Sequence, residues 1–273
     1  MGRILTIAHL TFIEAYRRKI VPAVLLCSAL FLLVYGTALY FINLNIPQSP
    51  QRQFQLQFFV LAGLYVANFL AIAAAVLLPV DTLSGEIDSG VMQTLASKPI
   101  RRAEIVIGKW LTYWLMTGSY LVIIAGGVVV VARLTTGFAQ QHLALALPLM
   151  LLGATFMLTV SIAGSARLKT VTNGIVAFGF YGIAFIGGWI EQIGAFTRND
   201  ASRYVGTALS LASPSDALWR RAAYELQPPV MRGLQLTPFG AGRVPSDAMI
   251  WWAAAITALA LLFAIRVIKR RAL

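Results

Sequence analysis

The chain has 273 residues, of which 59% are hydrophobic and 12% charged, with mean hydropathy +0.76 and a formal net charge of +12. This balance does not fit a soluble domain. The positive charge does not point to nucleic acid either, because it sits at the ends of apolar blocks, where it meets anionic headgroups, and no nucleic-acid-binding motif accompanies it. The reading is all-α, a polytopic membrane protein.

In chain order, residues 1–19 are predicted to form an amphipathic interface helix. Ile4, Leu5, Ala8, Thr11, Phe12, Ala15 and Tyr16 share one face, with Arg3, Thr6, Glu14 and Arg17 opposite and Ile7, Leu10 and Ile13 out of pattern. Six apolar blocks follow at Ile20–Asn43, Gln57–Val80, Trp110–Ala132, Leu143–Ala166, Val171–Ile190 and Met249–Ile268. Each has about the 20 residues that an α-helix needs to cross about 30 Å of hydrocarbon. The segments are thus 1–19, the first two spans within 20–80, a connector at 81–109, spans three to five within 110–190, a long segment at 191–248, and the sixth span with a basic tail at 249–273. The first block is too long for a cleaved signal, and Cys27, the only cysteine, excludes an internal disulfide.

Basic residues sort by connector. Arg3, Arg17, Arg18 and Lys19 precede the first span; Lys98, Arg101, Arg102 and Lys109 precede the third. Arg167 and Lys169 follow the fourth, and Arg266, Lys269, Arg270 and Arg271 end the sixth. The other short connectors hold only Arg52 and Arg133, and the six arginines of 191–248 count for little because long loops obey the charge rule weakly. Both termini are therefore expected in the cytoplasm of a bacterial or archaeal cell, with 191–248 outside the inner membrane.

The connector reads DTLSGEIDSGVMQTLASKPIRRAEIVIGKW from Asp81 to Trp110. Ile87, Val91 and Leu95 recur every four residues, which predicts an apolar ridge on a helix stopped at Lys98-Pro99. Asp81, Glu86 and Asp88 lie early and basic residues late, as the helix dipole favours. Such a ridge docks either into a groove on a partner or back on its own bundle. In the long segment, Ser213-Pro214-Ser215-Asp216 predicts a helix start with Ser213 as cap. Leu218, Ala222 and Leu226 share a face, and Arg220 and Arg221 point elsewhere. The expectation is a helix lying flat on the outer surface.

Catalytic patterns are missing: the sequence holds no HExxH, no GxSxG and no cysteine pair, and His9 and His142 fall in different compartments. Gly85 and Gly90 have Walker A spacing, but Val91-Met92 follow where Lys and Ser/Thr are required. Neither a catalytic site, a bound cofactor nor a metal site is expected. The polar residues Asn68, Thr155, Thr159, Ser161 and Asn173 are candidates for the pathway or for interhelical hydrogen bonds, the latter favoured.

The run SGEIDSGVMQTLASKPIRRAEIVIGKW resembles the connector of type-two ABC exporter permeases, with an acidic residue, Ser-Gly, an apolar helix, Lys-Pro, basic residues and Gly-Lys in the same order. SPSDALWRRAAYELQP, Ser213–Pro228, is similar to the run after the fifth span in that family, and the overall organisation looks like the branch of the nitrous-oxide reductase maturation permease. The resemblance implies a non-catalytic permease that pairs with a second permease copy and two copies of an ABC ATPase subunit, with ATP and Mg on the ATPase. Surrounding membrane lipids and an extracytoplasmic protein complete the candidate partners. It also implies a coupling helix, with Glu86, Ile87, Ser89, Gly90, Val91, Leu95, Lys98 and Pro99 at the ATPase, the acids setting register. The alternative is a self-contained secondary transporter or channel, which would need intramembrane charge or an internal repeat.

Overall fold

The structure is a computed structural model that describes residues 2–17, 19–45, 52–90, 101–197, 199–228 and 244–270. Among these residues every regular element is a helix: α1 (Gly2–Arg17), α2 (Ile20–Asn45), α3 (Arg52–Leu77), α4 (Ser84–Asp88), α5 (Arg102–Thr136), α6 (Leu143–Ser165), α7 (Thr170–Phe196), α8 (Asp200–Ala212), α9 (Ser215–Leu226) and α10 (Asp247–Arg270). Six of them, α2, α3, α5, α6, α7 and α10, are long and apolar enough to cross a membrane. The chain is an all-α, multi-pass membrane protein.

Burial ranks the spans. In the most apolar window of α3, 61% of residues are buried, against 6% in α2. The second span is therefore the centre of the bundle and the first lies at its outer rim. Small side chains make the centre close-packed: Ala67, Ala71, Ala74 and Ala75 of α3 are fully buried, as are Ala125 of α5 and Ala154 of α6. Ser161 Oγ donates to the Val76 carbonyl at 2.8 Å, and Asn173 Nδ2 donates at 2.8 Å to both Val80 O and Ser161 O. These bonds tie α3, α6 and α7 together where the first of them ends.

One end of the bundle gathers both terminal helices. Thr112 Oγ1 of α5 donates to Ala8 O at 2.9 Å, and Ile7 packs over Gly108. Arg102 Nη1 donates to the carbonyls of Ile268 and Lys269 at 3.2 and 3.3 Å. It thereby reaches the last described turn of α10, where a basic side chain suits the helix dipole. The stripe of α1 that faces the bundle is Ile7, Thr11 and Ala15, whereas Leu5, Phe12 and Tyr16 are exposed. The expected single apolar face is corrected accordingly. Ile7, out of pattern in the sequence, is the residue that docks, and Leu5, Phe12 and Tyr16 face outward.

The other end holds the largest departure from expectation. The segment 191–248 carries more than one short helix. α7 continues to Phe196, α8 returns alongside it, and α9 turns back again. Ser215 backbone atoms approach Gly153, ten residues into α6, about 15 Å along that helix. At its other end, Leu226 O accepts from Gln57 Nε2 at 2.9 Å and from Gln140 Nε2 at 2.8 Å. α8 and α9 thus form a hairpin whose tip, Ser213-Pro214, dips into the bundle. Leu218, Trp219, Ala222, Ala223 and Leu226 are buried. α9 does not lie flat. Ser213 does not cap it either: Pro214 is the N-cap, and Ser213 ends α8 with its N–H on Leu209 O.

Candidate coupling interface

The connector begins where α3 unwinds. Thr82 N–H donates to Pro79 O at 3.0 Å and Gly85 N–H to Asp81 O at 2.8 Å, so a run of turns leads directly into α4. α4 is only five residues long and ends with Ser89 and then Gly90 at φ +74°. A left-handed residue cannot continue an α-helix, and glycine adopts it without a Cβ penalty. α4 therefore ends ahead of Gly90, and of the predicted ridge only Ile87 falls among the described residues. Ile87 is on α4; Val91, Leu95, Lys98 and Pro99 lie outside the described residues.

Such a short helix is held by side chains rather than by its own cooperativity. Leu83 is fully buried and Ile87 half-buried against the core. Glu86 turns inward: its Oε1 lies 2.7 Å from Lys109 Nζ on α5. Lys109 is 2% exposed and also donates to Thr82 Oγ1 at 3.3 Å, which accepts from Tyr113 OH at 3.3 Å as well. This is a buried ion pair whose lysine end is hydrogen-bonded, whereas Glu86 Oε2 is buried with no hydrogen-bond partner among the described residues. The Arg101 N–H donates to the Glu104 carboxylate at 3.0 Å and opens α5. α5 has 35 residues and is about 52 Å long, well beyond what one crossing requires. It therefore runs unbroken from the connector to the opposite end of the bundle. Ser89, by contrast, is exposed at the tip of α4.

Residues 5–227 match the family described as ABC-2 family transporter protein. The chain belongs to that family. It is thus a membrane transport subunit of the ABC type, and the resemblance read from the connector and from Ser213–Pro228 leads to the same family. No curated protein matches the chain. In this ABC-2 protein the structure brings together Glu86, Ile87, Ser89 and Gly90 at one end of the bundle, and it turns Glu86 toward α5 rather than toward the surface. Of the polar candidates within the spans, Thr155 and Thr159 accept from the indole N–H groups of Trp114 at 3.0 Å and Trp110 at 2.9 Å. Ser161 and Asn173 make the interhelical bonds described above, and Asn68 is buried in α3. Among the described residues no group of three or more His, Cys, Asp or Glu is placed to hold a metal ion.

Sequence reasoning passed over two residues of consequence. Lys109 looked like one more interfacial cation, although it follows Glu86 by 23 positions and no local spacing joins them. The sequence pattern points Arg220 away from the apolar face of α9. Arg220 is 3% exposed, with Nη1 2.8 Å from Glu191 Oε2, Nε 3.0 Å from Asp216 Oδ2 and Nη2 donating to Ser210 Oγ at 3.1 Å. The i,i+4 spacing of Asp216 and Arg220 was the available signal.

Proposed function

We propose that the chain is the permease of an ABC exporter in the cytoplasmic membrane of a bacterium or archaeon, with both termini inside. Two copies form the translocation path. Each engages a separately encoded ATPase that binds ATP and Mg. Residues 81–109 are the docking segment, with Ser89 at the contact. The observation that carries this reading is the Glu86–Lys109 pair: it fastens a stub too short to be stable alone to a helix that runs the whole height of the bundle. Force applied at α4 by a closing ATPase passes into α5 through a buried contact, so the stub behaves as a lever. Glu86 on this view sets the lever's angle, and the exposed face of α4 meets the partner. The likeness to the nitrous-oxide maturation branch belongs to the same reading and rests on overall organisation.

Co-purification with the partner ATPase tests it. Ser89→Arg enlarges an exposed position and leaves the bundle intact, so the variant should reach the membrane and melt normally yet lose the ATPase. If Ser89→Arg and Leu95→Asp both retain the ATPase and its stimulated hydrolysis, docking through this segment is wrong. Transport driven by an ion gradient in the purified chain alone would favour the secondary-carrier reading instead.

A further inference from the structure

A second basic feature, on the same side as the termini, takes no part in the connector. Ala166, Arg167, Phe263, Arg266, Val267 and Arg270 line a cleft of about 460 Å³ between the end of α6 and the last turns of α10. Phe263, Arg266, Val267 and Arg270 follow i, i+3, i+4, i+7 spacing, so one face of α10 forms a whole wall. Arg167 comes from the turn after α6, and its guanidinium lies 5.3 Å from the Phe263 ring centroid, held there by the aromatic face. All three arginines are exposed, and no carboxylate among the described residues pairs with any of them.

Position along the helices matters as much as charge. Arg266 is 19 residues from Asp247, the other end of α10, a rise of about 28 Å, close to one hydrocarbon thickness. Ala166 lies at the matching end of α6. The arginines are therefore at headgroup depth, with Phe263 a turn deeper, at the level of glycerol and upper acyl carbons. Three like charges in one cleft repel each other unless a counter-charge joins them, and the guanidinium fork matches two oxygens of a phosphate. The volume suits a phosphoglycerol head. We propose that this cleft binds the phosphate of an anionic phospholipid in the leaflet on the side of the termini, with Arg266 and Arg270 on the phosphate and Arg167 closing over it. The inference rests on the six spans and the basic cleft, not on the ATPase reading.

The test is native mass spectrometry of the purified full chain offered equimolar phosphatidylglycerol and phosphatidylcholine. Wild type should retain the anionic lipid preferentially. A basic residue near the headgroup contributes about fivefold in binding, so Arg266→Gln/Arg270→Gln should lower the retained ratio by roughly 25-fold. Arg133→Gln, an exposed arginine at the opposite end of the bundle, should leave it unchanged. Equal losses in Arg133→Gln and Arg266→Gln would mean bulk charge attraction and overturn the site. Displacement of phosphatidylglycerol by millimolar inorganic phosphate would make the cleft a free-anion site and overturn the lipid assignment. If the double variant does not purify in folded form, Arg266→Gln alone is read, with about a fivefold loss expected and no change overturning the proposal.

Discussion

Buried ion pairs secure a short helix at each end of this molecule, and they differ in stoichiometry. Near the termini, Glu86 meets Lys109 one to one, with Thr82 and Tyr113 on the lysine side. At the other end Arg220 serves two carboxylates, Asp216 and Glu191. The first pair balances. The second leaves a surplus negative charge in a buried place, and burial raises the Asp216 carboxyl to about 6, with Arg220 opposing the rise and Glu191 adding to it. The balanced pair has no cheap substitution on either side, whereas the triad has one acid to spare.

Removing the shared cation should do most damage. Arg220→Ala strands two buried carboxylates and should cost at least the ~3–5 kcal/mol typical of breaking one buried pair, seen as a lowered melting temperature and protease access to the α8–α9 hairpin. Lys109→Ala strands only Glu86, with a cost of about 3 kcal/mol. Its sharper signature is functional: stimulated ATPase activity should fall while the far hairpin stays protected. Asp216→Asn should cost under about 1 kcal/mol, since Arg220 keeps Glu191 and the surplus charge is gone. It should also remove a pH dependence. The folded-state pKa of Asp216 is raised above its unfolded value of 3.8, so its contribution is fully present below that value and is lost as pH climbs through about 6. Wild-type melting temperature should therefore drop over that interval more than that of the variant. The smallest effect is expected away from both clusters: Ser161→Ala removes one interhelical hydrogen bond, about 0.6 kcal/mol.

The same comparison separates what could be read in the sequence from what could not. Spans were legible because a bilayer imposes length and apolarity on each helix independently of its neighbours. The five polar candidates in the spans were legible as residues, although their partners were not, because Trp110 and Trp114 come from another helix. The hairpin was misread for a definite reason. Leu218, Ala222 and Leu226 predicted one apolar face, but an amphipathic helix looks alike whether that face meets lipid or a groove between spans. The deciding residues were Gly187 and Gly188 of α7: a Cβ at either would run into Leu209 or Asp216, so their small size receives the hairpin. Glu86 was likewise visible as an acid, but its direction was set by Lys109, far along the chain.

The clip between Arg102 and the carbonyls of Ile268 and Lys269 has a practical corollary. The last described turn of α10 is anchored to the root of the longest helix, beside the proposed motor contact. A fluorescent protein or affinity handle spliced directly after Ile268 would tug on that root and could masquerade as a transport defect. Reporters belong behind a flexible spacer, and a silent tag at one terminus says little about the safety of the other.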